Sequence, residues 1–257
     1  MELIHEIEYD GKKYPVKEPT IKGWSELMTA KSFEDHLTMA VKLISLSTGL
    51  LESEILKANA GSVYSAAEGL IETYTENSEK FNEIITFNGK RYKFVDIKNL
   101  TFGEFVDIDD IMVKPESEKI NYLPMLMALL YRELDENGHY MEYDTLRIEK
   151  TAKEFELLPV RHLNSSMVFF LSYRKYVGTK YPVLFVEQGM VDTESEAAEQ
   201  KSKNPFGWYH VIVQMAKEDI LKIPDVVKVH HIEAFNFITY TYDLMERRNR
   251  ELKKHKL

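Results

Sequence analysis

Two short stretches, each with Asn or Asp followed by Gly between β-prone runs, constrain this chain more than any other feature. Around Asn88-Gly89 the sequence reads Ile85-Thr-Phe-Asn-Gly-Lys-Arg-Tyr92. Asn-Gly tolerates positive φ at both central positions of a two-residue hairpin turn, as type I′ geometry requires. Thr101 and Glu104 follow at the spacing of a capping box. In that motif each side chain accepts a hydrogen bond from the other residue's backbone N–H, so a helix is expected to begin there. The same plan stands near the N-terminus. Ile7 through Tyr14 match Ile85 through Tyr92 at an offset of 78 residues. Thr20-Ile21 and Trp24 through Leu27 then match Thr101-Phe102 and Phe105 through Ile108 at an offset of 81. The chain therefore reads as a duplicated unit, a hairpin followed by a helix.

The fold class expected from this pattern is α+β and predominantly helical. Two tandem units of a β-hairpin plus helices are followed by a C-terminal helical segment. The first repeat is placed at 1–80 and the second, extended, at 81–188. A linker is placed at 189–204, where Asp192, Glu194, Glu196 and Glu199 stand among small polar residues. The C-terminal helices take 205–257.

Within this frame, Thr20–Thr29 is expected to be a short helix, followed by one capped at Ser32 and ended by Gly49. Another starts at Gly61-Ser62 with Val63, Ala67, Leu70, Ile71 and Tyr74 inward. Ser117–Leu134 has helical spacing, and Pro124 inside it must kink the helix or begin a new one. Asn137-Gly138 is a candidate third tight turn. A buried helix spans Val160–Tyr176 and ends at Gly178, and Tyr181–Val186 reads as a short strand. Phe206–Lys222 is amphipathic. His231–Lys254 is the longest uninterrupted helical pattern, and its basic end suits the helix dipole.

Several functions are excluded or disfavoured by composition. Cysteine is absent from the 257 residues, which removes disulfides, thiolate zinc sites and thiol nucleophiles and fits a reducing compartment. The N-terminus lacks a signal peptide's apolar core, and no apolar run approaches the roughly 18 residues of a membrane span. The net charge of −9 repels a phosphate backbone, and basic residues cluster only at Arg247–Arg250 and Lys253–Lys256.

Chemistry-bearing constellations are sparse. His230 and Glu233 are close enough to share a cation, but zinc needs three or four ligands. The plainer reading is the polar start of a helix. Asp107, Asp109 and Asp110 crowd together without the glycine an EF-hand loop requires at its sixth position, so they read as a solvated helix end. There is no nucleophile elbow, phosphate-binding loop or dinucleotide fingerprint. Ser165 and Ser166 lie near His162, but hydroxyls inside a helix usually bond back to their own backbone. No catalytic residue, metal site or cofactor is therefore assigned.

The aromatic residues, 15 Tyr, 13 Phe and 2 Trp, are more telling. Phe206, Trp208 and Tyr209, then Phe235, Phe237, Tyr240 and Tyr242, cover more than one side of their helices. Such helices are either central in a core or packed on another chain. On the second reading Trp208, Phe235 and Tyr242 are the expected partner-binding anchors, because large aromatics dominate interface energetics. Arg247 and Arg248 then form a cationic tip.

A family resemblance is carried by three patches. The opening, Tyr9-Asp-Gly-Lys-Lys-Tyr-Pro-Val and on to Leu43-Ile-Ser-Leu-Ser-Thr-Gly-Leu50, resembles the start of tail assembly chaperones and small virion proteins of tailed bacteriophages. Leu100-Thr-Phe-Gly-Glu-Phe-Val-Asp-Ile-Asp109 and Leu126–Arg132 resemble a motif in structural proteins of large tailed phages, including crAss-like ones. The stretch from Trp208-Tyr209 to Asp243 is similar to the helical close of such proteins. The resemblance implies a non-enzymatic virion or tail-assembly protein acting through protein–protein contacts. Implied partners are a tape measure, tail or ring proteins, or the chain's own copies, without nucleic acid or membrane. The implied location is the host cytoplasm during assembly and then the virion. The alternatives are an assembly chaperone absent from the mature particle, or a packaging factor that binds nucleic acid through the basic C-terminus. An enzyme with a site built from distant residues would instead show a deep pocket with convergent titratable groups.

Overall fold

A computed structural model describes residues 3–30, 36–78, 81–186 and 206–254. The fold is predominantly helical α+β, with two small antiparallel sheets. The chain divides into two compact units that are not consecutive in sequence. Residues 1–95 and 111–169 make unit 1, and residues 96–110 and 170–257 make unit 2. Both hairpins lie in unit 1, whereas the capped helix after the second hairpin lies mainly in unit 2. Ser32 and the linker at 189–204 fall outside the described residues.

The duplicated hairpins are built alike. Strands β1 (Leu3–Tyr9) and β2 (Lys12–Lys17) pair with Ile7 opposite Tyr14, and β3 (Ile84–Phe87) and β4 (Lys90–Phe94) pair with Ile85 opposite Tyr92. Both turns have positive φ at both central residues, 51° and 70° at Asp10-Gly11, 49° and 74° at Asn88-Gly89. This is the backbone that the Asp-Gly and Asn-Gly pairs were expected to adopt.

In unit 1, α1 (Ile21–Ala30), α2 (His36–Thr48), α3 (Glu52–Ile55) and α4 (Ala60–Ser78) enclose a core that includes Ile7, Tyr9, Val16, Leu27, Ile44 and Leu70. Gly49, at φ +77°, ends α2 in the left-handed position expected of it. Two buried hydroxyls tie the elements: Tyr9 donates to the Ile55 carbonyl at 2.6 Å, and Tyr74 to Ser47 Oγ at 2.6 Å. Ile71, expected inward, is instead 52% exposed.

Helix α5 (Phe102–Met112) runs across the division between the units, and the chain then returns to unit 1. The segment read as one kinked helix is three pieces: α6 (Glu116–Lys119), a 3-10 turn, and α7 (Leu123–Leu130). Pro124 sits in the first turn of α7, where its missing N–H costs nothing. The helical reading fails past Leu130. Tyr131–Glu133 form β5, which pairs with β4 and places Tyr131 opposite Phe94. Asn137-Gly138 does form a tight turn, closing a bridge between Leu134 and Tyr140, with Gly138 at φ +83°. Asp144 caps α8 (Thr145–Phe155), accepting from the Arg147 N–H at 2.8 Å.

Helix α9 (Arg161–Lys180) also spans the division and continues past Gly178, which packs against Phe185 rather than ending the helix. Ser166 bonds back to the His162 carbonyl at 2.7 Å, as expected of a helical hydroxyl. The expected strand at Tyr181–Val186 is a single helical turn, α10 (Pro182–Val186). The expected helix over Phe206–Lys222 breaks early. Its first part is α11 (Gly207–Met215), which ends where Lys217 and Glu218 take φ of 56° and 61°. A 3-10 turn and α12 (Ile223–Lys228) follow, and α13 (His231–Lys254) then runs over the predicted range.

Each unit contains one joint that the duplication does not reveal. In unit 1, Thr20 is bridged to Pro159, flanked by Ile21 N–H to Leu158 O at 2.9 Å and Val160 N–H to Pro19 O at 2.9 Å. Unit 2 repeats the pattern. Thr101 is bridged to His230, flanked by Phe102 N–H to Val229 O at 2.7 Å and His231 N–H to Leu100 O at 3.1 Å. In both, a capped helix (α1 or α5) and a long helix (α9 or α13) leave the same two-stranded bridge. Pro159 is tolerated because the residue between the two flanking bonds needs no N–H.

Candidate protein-docking surfaces

Unit 2 contains all five residues expected to meet a partner, and it separates them into two groups. Trp208 and Phe235 are 1% and 0% exposed. They stack on each other at 5.8 Å and 22°, and Phe102 and Phe105 meet them edge-on. Their assignment as docking anchors is corrected: they are the centre of the unit's own core. Aromatic abundance signals burial, and burial inside one chain satisfies it as well as burial between two.

This core also holds polar groups that sequence reasoning missed. Asp109 is fully buried, contrary to the solvated helix end expected, while Asp107 and Asp110 are exposed. Its carboxylate accepts from Trp208 Nε1 at 2.9 Å and from Arg174 Nε. Burial pushes the Asp109 carboxyl above its ordinary range, against the opposing pull of the Arg174 guanidinium and the Trp208 N–H. His231, also 0% exposed, lies flat on Phe105 at 5.5 Å. Its Nδ1 is 2.8 Å from the Leu100 carbonyl, which can only accept, so Nδ1 carries the proton and Nε2 accepts from the Tyr173 hydroxyl. Burial holds His231 down at about 4 and Tyr173 up at about 12, so both stay neutral at pH 7. With Asp109 and His231 sealed from solvent, this network orients α5, α9, α11 and α13 and meets no solute in this conformation.

Beyond the core, α11 and α13 remain greasy on their outer sides. Tyr209, Phe237 and Tyr240 are 55%, 54% and 64% exposed. A groove of about 330 Å³ opens between the two helices, lined by Val211, Met215, Phe237, Tyr242 and Met245. Tyr242 is thus the one expected aromatic anchor that reaches an open surface. Past it, α13 is almost wholly exposed. Ion pairs one turn apart, Arg247 to Asp243 at 2.7 Å and Arg250 to Glu246 at 2.6 Å, support this tip, and Arg248 is exposed beside them.

Unit 1 carries a larger trough of about 660 Å³, lined from α1, α2 and α4 by Trp24, Met28, Met39, Tyr64, Glu68 and Ile71, with Ala40, Leu43 and Ala67 as its floor. No sequence signal marks it, because it exists only where three helices meet. The exposure of Ile71 was the one local clue, and helical spacing alone pointed that side chain inward.

Among the described residues no group of three or more His, Asp or Glu is placed to hold a metal ion, and no helix is long and apolar enough to cross a membrane. Comparison of the chain with protein-family models, curated proteins and solved structures gives no match.

Proposed function

We propose that this chain is a non-enzymatic virion or tail-assembly protein of a tailed bacteriophage, acting through protein–protein contacts. The observation that carries the reading is the exposed greasy side of α11 and α13, where Phe237 and Tyr240 stand more than half exposed next to the Tyr242 groove. Large apolar side chains grouped on a surface in this way mark interaction sites. The resemblance of the opening, central and closing patches to phage tail and virion proteins supplies the class of partner: a tape measure, a tail or ring protein, or further copies of the chain. Contacts are made by the exposed aromatics and the Arg247–Arg248 tip, with Trp208 and Phe235 holding the surface in shape from below.

Quantitative mass spectrometry of purified mature particles tests this. A stoichiometric copy number identifies a permanent component. Expression during infection with absence from particles identifies a chaperone. Normal yield of infectious particles after deletion of the gene would overturn both. The double variant Phe237→Ser, Tyr240→Ser should fold normally and lower particle yield at least tenfold.

A further inference from the structure

The trough in unit 1 shares no lining residue with the groove of unit 2, and its chemistry points to a particular occupant. Its long walls are helices, so no strand edge is offered and an extended peptide would find no backbone ladder to join. Its floor is shallow-sided: Ala40 and Ala67 stand where larger residues would have closed the space between α2 and α4. Two methionines and a tryptophan line the rim. Thioether side chains repack at little cost and suit a surface that accepts an apolar ridge. Tyr64 and Ile71 on α4 are 40% and 52% exposed, although both are large and apolar.

The polar groups on the trough are few and uneven. Among the described residues of the lining Glu68 is the one with a formal charge, and His36 and the Tyr64 hydroxyl are the other titratable groups. Glu72, one turn further along α4, is exposed, and α4 contains no Lys or Arg at all. An anionic lipid headgroup, a fatty-acid carboxylate or a nucleic acid would therefore meet repulsion along this wall. A cationic occupant would be attracted to it. Helix in groove, read through side chains at i, i+3, i+4 and i+7, is the recognition mode that matches an apolar trough with charge along one rim.

We infer that the α1–α2–α4 trough is a docking site for a basic amphipathic helix of a partner protein, whose apolar stripe covers Trp24, Met28, Met39 and Ile71 while its lysines or arginines face Glu68 and Glu72. This stands apart from the reading of unit 2 and from any place in a particle.

The test is fluorescence polarisation with the full chain and two labelled peptides of about 18 residues, or five helical turns. One has a leucine stripe and lysines elsewhere; the other has the same stripe with glutamates. The lysine peptide should bind at least tenfold more tightly than the glutamate peptide. Glu68→Lys, Glu72→Lys should reverse that order, and both positions are exposed enough to keep the fold. Ile71→Asp should weaken the lysine peptide by about tenfold or more, which corresponds to about 1.4 kcal/mol. Equal binding of the two peptides, an unchanged order in the charge-reversal variant, or saturable uptake of a neutral alkyl detergent with no peptide binding would each overturn the assignment. Failure of these peptides leaves the particle experiment unaffected, and absence from particles leaves this one unaffected.

Discussion

The Thr20 joint of unit 1 and the Thr101 joint of unit 2 share one backbone and solve it with different side chains. In unit 2 the capping box is complete: Thr101 N–H donates to Glu104 at 2.7 Å, and Glu104 N–H to Thr101 Oγ1 at 3.2 Å. The long helix opens on His231, packed flat on Phe105. In unit 1 only half the box survives, Gly23 N–H to Thr20 Oγ1 at 3.2 Å. Gly23 stands in the place of the glutamate, beneath Leu46 of α2; a Cβ there would be 2.7 Å from Leu46 Cδ1. The missing carboxylate reappears elsewhere, as Glu18, which accepts from the Arg161 N–H at 2.6 Å and lies 3.3 Å from its guanidinium. One joint closes with a local cap around an aromatic core. The other gives up part of the cap for close helix packing and caps its partner helix from a distance. The two joints share one backbone geometry and differ in the means of satisfying it.

Substitution at the equivalent aromatic positions should break the comparison most sharply. Phe105 is fully buried, so Phe105→Ala should cost unit 2 about 3–5 kcal/mol. Trp24, half-buried on the rim of the trough, should cost unit 1 less than half as much. Hydrogen exchange of α5 and α1 amides, followed separately, checks this because the two units need not unfold together. Equal losses would mean that the two joints are energetically alike.

Acid is the next largest lever. His231 is held near 4 in the folded chain, against 6.5 ordinarily. The unfolded chain takes up its proton first, so this stability is intact above pH 6.5 and is lost as pH falls toward 4, reaching about 3 kcal/mol. The raised carboxyl of Asp109 acts in the opposite sense, since the folded state then binds its proton more readily. His162 in unit 1 is also pushed down to about 4, by burial and by the charge of Arg161. Both units should therefore weaken in the same window. Substituting His231→Asn should flatten the slope for unit 2 amides alone, measured by exchange at pH 7, 5.5 and 4.5.

Smallest are the cap exchanges. Glu104→Ala should destabilise α5 by about 1 kcal/mol, and Glu104→Gln by less, because the amide still accepts from Thr101. Installing the missing residue with Gly23→Glu should not stabilise α1. It should change stability by less than about 1 kcal/mol, because the cap it gains is offset by the shift it forces on the exposed Leu46 side chain. A gain in the thermal midpoint would show that the half-cap, rather than packing, sets this joint.

What the sequence makes legible follows from where the physics is local. Asp10-Gly11 and Asn88-Gly89 demand a particular backbone, and both hairpins were readable in register. The end of α2 at Gly49 and the full length of α13 were equally readable, from a left-handed glycine and an unbroken apolar stripe. Non-local effects were not. Tyr131–Glu133 continue the helical spacing of α7, yet pairing with β4 draws them into a strand. Lys217 and Glu218 end α11 with a left-handed turn that neither residue announces. At the candidate sites, Trp208 and Phe235 were recognised as energetically central but placed on the wrong side of the surface, since period and bulk do not say which neighbour covers a residue. Asp109 was read as solvated because its partners Arg174 and Trp208 are remote in the chain. Tyr242 alone among the aromatic candidates was placed where the structure has it exposed to an open groove.

The paired joints also dictate an order of assembly. Thr20 leaves the ribosome long before Pro159, and Thr101 long before His230, so neither joint can close while its half of the chain is still being made. Residues 96–110 are synthesised inside the stretch that builds unit 1 but belong to unit 2. That short piece, carrying Phe102, Phe105 and Asp109, must wait with its apolar side uncovered until the last helix emerges. During translation its natural companion is whatever holds nascent apolar segments, and premature termination anywhere before α13 would leave it without a home.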